Sequence, residues 1–157
     1  KLAERFVETY HRPYFELLKA SLQELEKRQT SPVSFIDLHS MSSKTAPYHR
    51  RKNPGQPEHR PDFCLSDKNG TSAAKEFGAF FQRKLVDRGF AALMSDPYQG
   101  GYITEYGSLF RANALQIEIC RRLYMSEETR ELLPEKAGAL KKDLTEILIQ
   151  GFEAFQS

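Results

Sequence analysis

The chain lacks the features that mark several large classes of protein. Its 157 residues include only two cysteines, Cys64 and Cys120, too few for a disulfide scaffold in a chain of this length. Each lies in an apolar, strand-like run, so both read as buried thiols and a reducing compartment, the cytoplasm, is expected. No apolar run approaches the roughly 18 to 20 residues that a membrane-spanning helix needs, so no membrane partner is expected. The opening residues, Lys1-Leu2-Ala3-Glu4-Arg5, carry a charged helical pattern and not that of a signal peptide. Also missing are G-x-G-x-x-G, G-x-x-x-x-G-K-[ST], H-E-x-x-H and C-x-x-C, which argues against nucleotide cradles, zincins and zinc ribbons. Ser-His-Asp catalysis lacks a nucleophile elbow. With no repeat, low-complexity tract or linker, and with 39% hydrophobic and 28% charged residues, residues 1–157 are expected to form one globular domain.

The net charge of +2 conceals one basic stretch. Lys44, Arg50, Arg51, Lys52 and Arg60 face only Glu58 there, a local balance of +4 that leaves −2 for the rest of the chain. Pro47, Pro54, Gly55 and Pro57 break up the same stretch, which reads as a long loop. Loops of this length are solvated and flexible or functional, as a lid over an anionic substrate or a nucleic-acid contact. With neither a basic helix nor an aromatic platform beside it, no nucleic acid is expected as a partner.

Periodicity places the elements. Phe6, Tyr10, Phe15, Leu18, Leu22 and Leu25 form an apolar helical stripe over residues 2–29, which Pro13 should kink or divide. Strand patterns follow at 33–41, 61–65, 90–94 and 114–119. A helix capped by Thr71 or Ser72 runs to about Asp87. Residues 97–102 read as an irregular glycine-bearing loop, and two more helices are expected over 127–133 and 134–155. Strands alternating with helices predict an α/β fold, a mostly parallel mixed sheet with helices on both faces.

Two strands carry polar residues where a sheet interior is expected. In Val33-Ser34-Phe35-Ile36-Asp37-Leu38-His39-Ser40-Met41, residues two apart share a face, so Asp37 and His39 project together near the strand's end. His39 is there either a metal ligand or acid–base group, or an ordinary hydrogen-bonded strand-end residue. In Leu115-Gln116-Ile117-Glu118-Ile119, Glu118 and Gln116 oppose three aliphatic residues. A carboxylate at such a position is costly unless it is paired, protonated or facing a wet cleft. Glu118 is thus a candidate general base or the partner of a nearby cation. Gly100-Gly101 allows the chain a close approach to a ligand, with Tyr102 beside it, or makes a simple turn.

Taken together, five blocks resemble the N-formylglutamate amidohydrolase family: Ile36-Asp37-Leu38-His39-Ser40-Met41, Arg60-Pro61-Asp62-Phe63-Cys64-Leu65, Asn69-Gly70-Thr71-Ser72, Pro97 to Glu105, and Ala114 to Ile119 with Arg122-Leu123-Tyr124-Met125 after it. The resemblance implies a phosphorylase/hydrolase-like fold, that of the zinc carboxypeptidases and aspartoacylases. It also implies a single zinc ion held by two histidines and a carboxylate, and cleavage of the amide of a small anionic N-acyl amino acid, first of all N-formyl-L-glutamate. In that pattern His39 is the later histidine ligand to the metal and Glu118 the catalytic base. Tyr102 and Thr104 lie at the substrate pocket, and Arg60 grips a substrate carboxylate through its bidentate fork. The family's first histidine and its carboxylate ligand belong to an N-terminal part with no counterpart here. The chain is therefore expected to correspond to the C-terminal half to two-thirds of such an enzyme, and by itself to bind zinc weakly and turn over little. Asn113 and Ser66 stand where the family often has histidine and glycine, which leaves the substrate's identity open, and the oligomeric state is open too.

Overall fold

The computed structural model describes residues 1–156. Helix α1 (Leu2–Phe6), a π-helical turn (Val7–His11) and α2 (Arg12–Arg28) lead into β1 (Val33–Met41). Then come α3 (Pro47–Lys52), β2 (Phe63–Ser66), α4 (Lys75–Asp87), β3 (Ala92–Met94), α5 (Tyr102–Gly107), β4 (Ala112–Cys120), a 3-10 turn (Arg121–Leu123) and α6 (Pro134–Phe155). The four strands make one sheet in the order β1-β4-β2-β3, parallel at β1–β4 and β2–β3 and antiparallel at β4–β2. This is the mixed α/β sheet expected from the sequence, with two of its three pairings parallel.

Period-two burial explains how the sheet is covered. Phe63 and Leu65 of β2 share a face with Ile119 and Ile117 of β4, and that face packs on Phe77, Phe81 and Leu85 of α4 and Leu140 and Ile147 of α6. Gly151 lets α6 close onto the Phe81 ring, where any side chain at that position would collide. The opposite face carries Phe35, Asp37 and His39 of β1 beside Ala114, Gln116 and Glu118 of β4. Helix α5 covers its lower end, with Gly107 against Phe35 and Ala114, and α2 reaches it through Phe15, whose ring packs 5.2 Å from Tyr102 and 4.8 Å from Tyr106.

The structure departs from the sequence reading in several places. The basic stretch is not a loop throughout: α3 is a short helix carrying His49, Arg50, Arg51 and Lys52, so the expected absence of a basic helix there does not hold. Pro13 does not end the first helix but stands next to an irregularity in it, the π-helical turn: backbone angles stay helical through Phe6 and His11, and the Arg12 N–H bonds to the Val7 carbonyl five residues back. That wide turn removes the clash a proline ring makes with the carbonyl four residues earlier. Neither Thr71 nor Ser72 caps α4, because the Ser72 hydroxyl donates to the Ala114 carbonyl and the Thr71 hydroxyl to that of Lys68. The Asn113 side chain accepts the Ala74 N–H instead, at 2.8 Å. Residues 127–133 form no helix. Met125 bridges Leu132, Arg130 adopts φ 63°, and the Glu127 carboxylate is drawn away to the backbone N–H and hydroxyl of Ser43.

Gly107→Ala drives a methyl group into Phe35 and Ala114 at the seam that holds α5 on the sheet. Overpacking of this kind should lower unfolding stability by about 1–3 kcal/mol, read as a fall in the urea midpoint at unchanged m-value.

Candidate active site

The parallel pairing of β1 with β4 sets two rows of side chains facing one way. Asp37 stands opposite Gln116, and one row further along His39 stands opposite Glu118. Cys64 of β2 lies on the other side of Glu118, and Ser66 beside Gln116. The site is therefore at the carboxyl ends of the parallel pair, where open α/β sheets collect ligands.

Within this patch the polar groups are tied to one another. His39 Nε2 lies 3.0 Å from Asp37 Oδ1, and Nδ1 lies 4.0 Å from Glu118 Oε1. Gln116 Nε2 donates to Glu118 Oε1 at 3.0 Å, while Gln116 Oε1 accepts the Gly101 N–H at 2.6 Å. Thr104, fully buried, has its hydroxyl 3.4 Å from both Asp37 Oδ2 and Gln116 Oε1. Glu118 is 7% exposed, whereas the His39 side chain is 44% exposed on the edge strand. Burial pushes the Glu118 carboxyl above the usual carboxylate range, against the opposing pull of His39, the Gln116 hydrogen bond and the Arg60 charge.

Arg60 closes the far side of the site. It is 6% exposed, donates to the Ser42 hydroxyl at 3.1 Å and lies 5.1 Å from the centre of the Tyr98 ring. Its Nε is buried without a hydrogen-bond partner among the described residues. Arg122 fixes its backbone, donating to the Arg60 carbonyl at 3.0 Å and to Asp62 at 2.7 Å. A cavity of about 260 Å³ opens beside Arg60, walled by Thr45, Pro57, His59, Leu93 and Pro97 among others. The basic stretch is ordered around it: α3 lies inside, Lys44 bridges His59, and the Thr45 hydroxyl donates to the Pro57 carbonyl.

Of the residues proposed from the sequence, His39, Glu118, Arg60 and Thr104 gather at this end of the sheet. Tyr102 is 60% exposed and packs against Phe15 and His11 at the start of α5. Asn113 and Ser66 serve local structure, the first at the entry to α4 and the second donating to the Tyr98 carbonyl at 2.6 Å. Sequence reasoning gave Gln116, Tyr98 and Ser42 no part in the site. Gln116 could have been found from its place two residues before Glu118, but nothing in the sequence points to the other two.

The family model for N-formylglutamate amidohydrolase matches residues 1–125. The chain belongs to the N-formylglutamate amidohydrolase family. A crystal structure of N-formylglutamate amidohydrolase from Ralstonia eutropha JMP134 superposes with a TM-score of 0.84 at 33% sequence identity. The match covers 98% of this chain and 54% of that one, so the chain spans about half the length of this amidohydrolase. No curated protein matches the chain.

As to a metal, His39 has the character of a ligand: a half-exposed imidazole whose other nitrogen is held by a carboxylate. Among the described residues, however, no group of three or more histidine, cysteine, aspartate or glutamate side chains is placed to hold an ion. The described residues thus could offer a metal at most part of a donor set.

The raised Glu118 pKa has a direction that can be checked. A carboxyl that binds its proton more tightly when folded adds stability below its ordinary pKa, and that stability is lost as pH rises through the folded value. Glu118→Gln should therefore raise the thermal midpoint of chelator-treated protein at pH 7 to 8, and the gain should vanish below about pH 4.

Proposed function

We propose that the site serves a zinc-dependent hydrolase that cleaves the amide of a small anionic N-acyl amino acid, with N-formyl-L-glutamate as first candidate and L-glutamate and formate as products. The observation that carries this reading is the pairing of His39 with Glu118 in a single register row, the imidazole open to solvent and the carboxylate buried beside it. When bound, zinc would polarise the amide carbonyl and acidify a water. His39 would donate one of its ligands.

The chain's own residues support the remaining roles. Glu118, raised by burial toward the pH at which proton transfer is efficient, takes a proton from the attacking water and delivers it to the departing amine nitrogen. The products are then a free amine and a carboxylic acid, with water consumed. Asp37 holds the imidazole through its 3.0 Å contact and so fixes which ring nitrogen faces outward. Arg60, with Nε unpartnered, offers a buried cation to the substrate's carboxylate. Tyr102 and Thr104 both follow the glycine loop in α5, Tyr102 exposed as the candidate substrate contact and Thr104 acting from beneath through Asp37. The free, buried thiols of Cys64 and Cys120 suit a reducing compartment such as the cytoplasm. No helix among the described residues is long and apolar enough to cross a membrane.

A second reading, a family relative that binds without turning over, is favoured by the incomplete donor set. The two separate on purified protein titrated with zinc while formate release from N-formyl-L-glutamate is followed. The hydrolase reading expects weak zinc binding, and slow release that grows with zinc, disappears in Glu118→Gln with zinc binding retained, and loses both in His39→Ala. Arg60→Lys should raise KM by roughly tenfold or more, since a point charge replaces a fork. Absence of formate at saturating zinc leaves the binding reading standing.

A further inference from the structure

We propose that Gln116 is a positioning residue that transmits the placement of the Gly100–Gly101 loop to the Glu118 carboxylate. This rests on the reading of Glu118 as the base and adds a part to it. Gln116 is 4% exposed, in the middle of β4 and opposite Asp37. A primary amide can present either its oxygen or its nitrogen to a neighbour, so its sense must be set by something that cannot itself turn round. Here that group is the Gly101 backbone N–H, which can only donate and meets Gln116 Oε1 at 2.6 Å. With the oxygen held there, the amide nitrogen is left facing Glu118 and donates to Oε1 at 3.0 Å. Thr104 does not set this sense, since its hydroxyl lies 3.4 Å from both the amide oxygen and Asp37 Oδ2 and has one proton to give. Were the loop to withdraw, the amide could turn and set its oxygen against the carboxylate. Glu118 would then lose its one side-chain hydrogen bond among the described residues.

The loop offers a probe that leaves the Gln116 and Glu118 side chains themselves unaltered. Gly101 has φ −91° and ψ −174°, extended backbone open to any residue, and a Cβ there meets only Gln116 Oε1, at 3.1 Å. Gly101→Ala therefore presses on the amide oxygen and on nothing else within 4 Å. Gln116→Met keeps the length of the side chain and removes both hydrogen bonds.

The experiment combines crystal structures of the wild type, Gln116→Met and Gly101→Ala with zinc-supplemented kinetics on N-formyl-L-glutamate. The Glu118 carboxylate is expected to move by about 1 Å or to occupy a second rotamer in Gln116→Met, with a smaller shift in Gly101→Ala. The corresponding kinetics are a fall in kcat of roughly 10- to 100-fold in Gln116→Met at KM within about twofold. A purely structural part for Gln116 would instead lower the thermal midpoint and the active fraction while folded molecules kept Glu118 in place. Glu118 superposable on the wild type in both variants overturns the proposal whatever the activity. A wild type that releases no formate overturns the hydrolase reading alone, and the crystal structures still decide the positioning.

Discussion

The register of β1 on β4 is the constraint on which the site depends. Nine consecutive residues of each strand pair in parallel from Val33 with Ala112 to Met41 with Cys120, and this alone sets His39 beside Glu118 and Asp37 beside Gln116. A slip of one residue would send each polar side chain of one strand into the aliphatic layer over α4 and α6. That layer guards the register from the other side. Leu115 and Ile117 are buried against the helices, so exchanging faces would expose them and bury Glu118 in hydrocarbon.

How the sheet tolerates a buried carboxylate and a buried guanidinium follows from what surrounds them. Glu118 is balanced by the amide of Gln116, the imidazole of His39 and the field of Arg60, yet burial still prevails and its proton is held more tightly. Arg60 is the mirror case. Its fork has one hydroxyl partner and the Tyr98 ring face, and its buried Nε is left without a bond. A buried cation with an unpartnered nitrogen and a buried carboxylate, at the same end of the sheet, are what a site for a charged ligand would need.

Much of this was legible in the sequence, for definite reasons. Period-two alternation in 33–41 and 114–119 revealed both strands and placed the polar residues on one face. The neighbour relation between the strands was not legible, because β4 enters the sheet between β1 and β2 only after two intervening helices and β3. Local propensity also misjudged places where a distant partner takes the decisive hydrogen bond. Ser72 looks like a helix cap but is spent on the Ala114 carbonyl, and Asn113, from β4, takes the Ala74 N–H at the entry to the helix. Glu127 and Glu128 suggest the first turn of a helix, yet the Glu127 carboxylate belongs to Ser43, 84 residues away. Tyr98 and Ser42 sit in loops without periodicity, so only the folded chain reveals them beside Arg60.

The site is also lopsided in a way that follows from strand order. Glu118 is on an inner strand, flanked by β1 and β2, and is consequently shielded, whereas His39 is on the edge strand and open to solvent on its outer side. On the opposite face of that edge strand Leu38 is half exposed, so β1 is open on both faces near its carboxyl end. A base needs enclosure to raise its proton affinity, and a metal ligand needs an open side from which the ion and its remaining donors approach. On the proposed reading of His39 and Glu118, the edge position of β1 and the interior position of β4 would meet those two demands with one pairing. The same asymmetry explains why the braces differ. The exposed imidazole is steadied by Asp37 from its own strand, while the buried carboxylate is steadied by Gln116, whose amide is set in turn by the glycine loop above it.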